Sequence, residues 1–139
     1  MNDCRSLRKA SGFSVSDIDC QGWGDRRDAL LAATAGRGIL LREESGFVAI
    51  QPCSDARQFG PFTALDSGTA ARLLDAALCS IQPGTKICLD SPASNRAALR
   101  MFSRRRLRIS GSTVLMYAGV RPDYRPGLLY GLATMGSCG

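Results

Sequence analysis

The most regular hydrophobic pattern in the chain lies between residues 70 and 81. There Ala70, Leu73, Leu74, Ala77, Leu78 and Ile81 fall on one stripe of a 3.6-residue period. The spacing predicts a helix over 67–82, capped by Asp66 or Ser67 and ended by Pro83-Gly84. A second amphipathic stretch runs to about Arg105, with Ala98, Leu99, Met101 and Phe102 on its apolar side and Ser94 or Asn95 at its start. Between the two, Ile87-Cys88-Leu89 is a short apolar run of the kind found in central strands, and Pro92 ends it.

Upstream the period shortens to two. Gly38–Arg42 and Phe47–Gln51 read as a hairpin closed by Glu43-Glu44-Ser45-Gly46. A further strand follows from Gln58 to Ala64, interrupted by Gly60-Pro61. Phe13, Val15 and Ile18 suggest a first short strand, and Asp25 a cap for a helix that Gly36 closes after Ala35. Late strands are expected at Leu107–Ile109, Thr113–Tyr117 and Leu128–Tyr130. The order strand, helix, three strands, helix, strand, helix, strands predicts an α/β (α+β) fold. A strand–helix–strand unit at 58–90 requires a parallel pair with a right-handed crossover.

Length and composition narrow this reading. The 139 residues suit one domain spanning 1–139, with residues 1–11 a loose polar tail. No run is apolar enough for a membrane span and no signal peptide precedes the fold, so a cytoplasmic protein is expected. The six cysteines are scattered without a Cys-x-x-Cys pair, and there is no histidine. A metal site is therefore not expected, and all six cysteines read as free thiols. The formal charge of +6 comes from sixteen Arg and two Lys against twelve acids. Arginine suits phosphate recognition, yet only Arg104-Arg105-Arg106 with Arg108 is clustered. That cluster ends a predicted helix, where cations complement the dipole. Few aromatics and no recognised binding motif argue against nucleic acid.

Several short motifs, taken in order, resemble one family. They are Gly60-Pro61-Phe62-Thr63-Ala64, Leu89-Asp90-Ser91-Pro92 with Asn95, Leu115-Met116-Tyr117-Ala118-Gly119, and Tyr130-Gly131-Leu132-Ala133. From about residue 22 onward the chain is similar to the GNAT superfamily of acyl-CoA N-acyltransferases. Within it, the chain resembles the C-terminal domain of two-domain YitH-type acetyltransferases. The resemblance implies a mixed twisted sheet with helices on both sides and a splayed parallel strand pair. It implies acetyl-CoA as cofactor, a small amine as substrate, and a pantetheine arm paired with the strand holding Phe62, Thr63 and Ala64. It further implies that the pyrophosphate rests on the next helix start, at Gly68, Thr69 and Ala70, and that Asn95 reaches the arm.

The residues depart from that pattern at telling places. Leu65 stands where the family has Arg or Gln, and Asp66 sets a carboxylate at the phosphate position. Asp66 also suits a helix cap, and so does Asn95. Weak acetyl-CoA binding is the consequence expected. Phe102 replaces a family tyrosine that protonates the leaving thiolate, and phenylalanine has no proton to give. Glu43 and Glu44 fall in a turn, and Tyr117 and Tyr130 suit packing, so no catalytic acid or base is assigned. Two functions follow: an acyl-CoA-dependent N-acetyltransferase with a degraded cofactor loop, or a non-catalytic accessory or dimerisation domain. In the resembled proteins the unit adjoins another domain, which predicts a homodimer or a partner domain here.

Overall fold

The computed structural model describes residues 14–121 and 123–133. β1 (Ile39–Glu43) and β2 (Gly46–Cys53) form the expected hairpin. β3 (Ala56–Ala64) returns antiparallel to β2. α3 (Ser67–Cys79) then crosses over to β4 (Lys86–Cys88), which lies parallel to β3 as the connection rule requires. β5 (Leu129–Gly131) pairs antiparallel with β3.

Strand alternation sends neighbouring side chains to opposite faces, so the mixed sheet carries a helical layer on each. On one face α3 and α4 (Arg96–Arg104) pack Leu73, Leu74, Ala77, Ala98, Met101 and Phe102 against Leu41, Val48, Ile50, Phe59 and Phe62. On the other, Ile18 of α1 (Val15–Trp23) and Leu31 of α2 (Asp28–Arg37) close over Phe47. Val48 faces Phe62 while Ile50 faces Phe59, so three steps along β3 match two along β2. The surplus residue forms a bulge at the cis Gly60-Pro61 bond, which lets Phe59 and Phe62 enter the same core.

The N-terminal expectation is corrected. Residues expected as a strand around Val15 and Ile18 form α1, because Val15, Ile18 and Gly22 recur at helical spacing. Ser14 and Asp17 complete a capping box: Asp17 N donates to Ser14 Oγ at 3.1 Å, and Ser14 N to Asp17 Oδ2 at 3.0 Å. Phe13 lies outside the described residues. Asp25 does not cap α2 but accepts from the Arg26 amide, and the N-cap position is Arg27, without a side-chain cap bond. Arg27 instead donates to the wholly buried Asp19 through Nε at 2.9 Å and Nη2 at 2.6 Å. Its guanidinium lies 4.3 Å from the centre of the Trp23 ring. This buried pair ties α2 to α1. The C-cap of α2 is Gly38 rather than Gly36.

Two late strands are also corrected. Among the described residues, 107–121 hold neither helix nor strand, so Leu107–Ile109 and Thr113–Tyr117 are not strands. Strand-like composition alone does not make a strand, and these residues pair with no edge of the sheet. The third candidate forms as β5, one residue later than expected, after the single turn Pro126–Leu128. α3 stops at Cys79 because Ser80 turns its hydroxyl onto the Ala77 carbonyl at 2.7 Å.

Cys20, Cys79 and Cys88 are free thiols, whereas Cys53 is disulfide-bonded. The expectation of six free thiols, which followed from the expected reducing compartment, is corrected at Cys53. Among the described residues no helix is long and apolar enough to cross a membrane.

Candidate functional site

β3 and β4 pair only from Ala56↔Lys86 to Gln58↔Cys88. Beyond Gln58 they part, which opens a cleft along the remaining β3 edge. The resemblance assigns that edge, at Phe62, Thr63 and Ala64, to the pantetheine arm. In the structure β5 lies along it, with Phe62 opposite Gly131 and Thr63 opposite Leu129. On its other side the segment reaches the end of β4, where Leu132 N donates to Asp90 O at 2.7 Å. The strand therefore bridges the two parted strands.

Three buried amide side chains hold the same segment by its carbonyls. Asn95 Nδ2 donates to Leu129 O at 2.8 Å and reaches Gly127 O at 3.5 Å. Gln51 Nε2 donates to Ala133 O at 3.0 Å and also to Gly60 O, while Gln58 Nε2 meets Leu132 O at 3.4 Å. Gln51 is oriented in turn by Arg37, whose Nη2 donates to its Oε1 at 2.7 Å. Two glycines permit the approach: a Cβ on Gly60 would collide with Leu132 O, and one on Gly131 with Phe59 O. Leu129 sits against Gly22, and Tyr130 packs on Phe62 with ring centres 5.4 Å apart. Burial pushes the Tyr130 phenol up, and the charge of nearby Asp66 adds to that.

The start of α3 is the second half of the cleft. Asp66 is the N-cap, as one of the two sequence alternatives has it: Thr69 N donates to Oδ1 at 2.7 Å and Thr69 Oγ1 to Oδ2 at 2.8 Å. Ser45 Oγ adds a bond to Oδ2 at 3.2 Å and lies 2.9 Å from Thr69 Oγ1. The Thr69 amide, more than any other contact, holds the Asp66 carboxyl below the usual carboxylate range. Arg72 completes the cluster, donating to Thr69 Oγ1 at 3.1 Å and to Glu43 at 2.8 Å. Ala70 is buried in the core, and Gly68 is exposed beside Asp66. Leu65 packs at the edge of the α1–α2 layer.

The structure thus brings Phe62, Thr63 and Asn95 together around β5, while Gly68, Thr69 and Ala70 surround Asp66. One β3 edge cannot pair with two extended chains, so a pantetheine arm does not fit there while β5 is in place. An anion at the helix start meets the Asp66 carboxylate. Phe102 is buried within the α4 core and carries no exchangeable proton. Tyr117 is exposed and Glu43 is engaged by Arg72. Gln51 and Gln58 are not singled out by the sequence reading. Their signal was there: each is an uncharged polar residue beside strand positions that are mostly apolar.

Comparison with known proteins agrees with the fold. A structure of a protein from Pyrococcus horikoshii, provisionally described as an acetyltransferase, superposes with a TM-score of 0.66 at 21% identity. The match covers 91% of this chain and 46% of that one, so the chain spans about half the length of the structure it resembles. No curated protein matches. The model of the acetyltransferase (GNAT) domain matches residues 15–131, and since this is most of its length, the chain belongs to the GNAT acetyltransferase domain family.

Proposed function

We propose that this chain is a non-catalytic accessory unit of its family, which keeps the fold and gives the cleft to a peptide strand. The observation that carries this reading is the pairing of β5 with Phe62 and Thr63, along the edge that an acyl-CoA arm would need. Three further features support it. Asp66 occupies the anion position, Phe102 stands in place of a proton donor, and Glu43 is held by Arg72. Burying Gln51, Gln58 and Asn95 is favourable only because their amides are satisfied, and the 127–133 backbone supplies an acceptor to the NH2 group of each.

A second reading is an N-acetyltransferase that uses acetyl-CoA, binds it weakly and acts on a small amine. The family match and the small residues Gly68 and Ala70 at the start of α3 favour it. Calorimetric titration of the full chain with acetyl-CoA separates the two. The accessory reading expects no saturable heat at micromolar concentrations. Tight one-to-one binding would overturn it and restore the enzyme.

A further inference from the structure

The positive charge of this chain is concentrated in one stretch. Residues 91–121 hold seven arginines and no acid, while the rest of the chain holds eleven basic residues against twelve acidic ones. On α4, Arg96, Arg100 and Arg104 recur every four residues, which sets them on one face, opposite the Ala98, Met101 and Phe102 that enter the core. Arg106 follows where the chain turns out of the helix, at φ 63°, and Arg108 comes just after it. Among the described residues only Arg105 of the seven meets a carboxylate, Asp75 at 2.7 Å, and the other six are exposed. Apolar surface adjoins this charge. Among the described residues every exposed large apolar side chain except Ile39 lies between Ile109 and Val120, in a segment without helix or strand. Ile109, Val114, Met116 and Val120 are 82, 85, 84 and 93% exposed. Arg108 precedes Ile109 and Arg121 follows Val120 directly, so charged and apolar side chains reach the same surface. We infer that this face, from α4 through residue 121, seats on an anionic phospholipid surface. The arginines meet the lipid phosphates and the apolar side chains of 109–120 enter the outer acyl region, so the chain lies on the membrane without spanning it. The inference does not depend on what the cleft binds.

Charge and apolarity together select the occupant. An exposed apolar stretch of this size marks a surface that something covers. A second copy placed on the same face would set arginine against arginine, and like charges across an interface are costly. Nucleic acid would satisfy the guanidinium groups but leave Ile109, Val114, Met116 and Val120 in water. Single strands are held by stacking on aromatic rings, and Tyr117 is the one aromatic residue in 107–121. An acidic protein would need a surface of fixed shape to match, and 107–121 has no regular element to supply one. A bilayer surface asks only for the right sign and the right depth. Each arginine near anionic headgroups raises affinity about fivefold, and each buried apolar side chain adds a part that salt does not screen.

The test is co-sedimentation of the full chain with vesicles, at low salt and again at high salt. Vesicles of equal parts phosphatidylcholine and phosphatidylglycerol should carry the protein down, and vesicles of phosphatidylcholine alone should not. Added salt should weaken the binding. Arg100→Gln and Arg104→Gln should each weaken it about fivefold. Val114→Ser combined with Met116→Ser should weaken it at every salt concentration. All four side chains are exposed, so the folded body is kept, which circular dichroism checks. In a Met116→Trp variant, brominated acyl chains should quench the added fluorescence once the Trp23 signal of the wild type is subtracted.

No binding to the phosphatidylglycerol vesicles at low salt would overturn the inference, and so would equal binding to phosphatidylcholine alone. Binding that the paired serine substitutions leave unchanged, without quenching by bromine, would overturn it as well, because the face would then serve any polyanion. A single-stranded RNA that displaces the protein from the vesicles at equal phosphate concentration would assign the face to nucleic acid instead. Polyglutamate that does so at equal charge would assign it to an acidic protein. Acetyl-CoA titration is read separately. Tight acetyl-CoA binding by a chain that also binds vesicles removes the accessory reading and keeps the lipid surface. A chain that binds neither removes the lipid surface and keeps the accessory reading.

Discussion

Asn95 does two jobs through two different atoms, and one pair of substitutions separates them. Its Oδ1 accepts from Ala98 N at 3.0 Å and caps α4, while its Nδ2 donates to Leu129 O at 2.8 Å and holds β5. Asn95→Ala loses both. The cap is worth about 1 kcal/mol. Leaving a buried carbonyl without its donor costs about 1–3 kcal/mol. The sum is about 2–4 kcal/mol. Asn95→Asp keeps the cap, because aspartate caps as well as asparagine, but turns an acceptor toward Leu129 O. It should therefore retain at least the second cost, about 1–3 kcal/mol. At low pH a protonated carboxyl can donate to Leu129 O, so the Asp variant should recover part of its stability as pH falls. Urea denaturation followed through the lone Trp23 measures the stability, and hydrogen exchange at 129–131 reports the strand. An Asp variant within about 0.5 kcal/mol of wild type, with β5 still protected, would refute the anchoring role and leave Asn95 as a cap alone.

Two further predictions follow from the same contacts. Asp66→Ala should destabilise the start of α3 by about 1 kcal/mol, whereas Asp66→Asn should cost little. Because the folded-state pKa of Asp66 lies below its ordinary 3.8, its contribution is present above that range and is lost as pH falls through the lowered value. An acid titration of stability should accordingly be flatter for the Asn variant, and identical acid profiles would contradict the cap. Asp19→Ala should cost about 3–5 kcal/mol, since it leaves the Arg27 guanidinium without its partner. Fluorescence should also shift as Arg27 leaves the Trp23 ring, and an unchanged melting curve would count against the buried pair.

Much of the sheet was legible because its elements answer to local physics. The stripe from Ala70 to Ile81 exceeds two helical turns, and burying it against a sheet is its only favourable arrangement. The hairpin of β1 and β2 has a short turn between alternating strands. Asp66 and Asn95 cap helices through side chains a few residues from the amides they serve, so their short-range role needed no tertiary knowledge. The direction of β4 also followed from the chain alone, since a strand–helix–strand unit of this length returns parallel.

Other features were decided only when distant residues met. For α1 the Ser14–Asp17 box and the spacing of Val15, Ile18 and Gly22 were local signals that the strand expectation passed over, and distant residues entered only where Ile18 is buried over Phe47. Thr113–Tyr117 has the composition of a strand, yet composition does not bring a segment into register with an edge, and here Thr113 meets the sheet through the Asp90 side chain rather than a ladder. The second role of Asn95 spans thirty-four positions to Leu129, and that of Gln51 eighty-two to Ala133. No local rule links residues so far apart. The sequence by itself determined which segments become helices and strands and which residues cap them. The tertiary structure decided what fills the cleft, because a strand edge and a buried amide are satisfied by whichever chain segment the fold delivers to them.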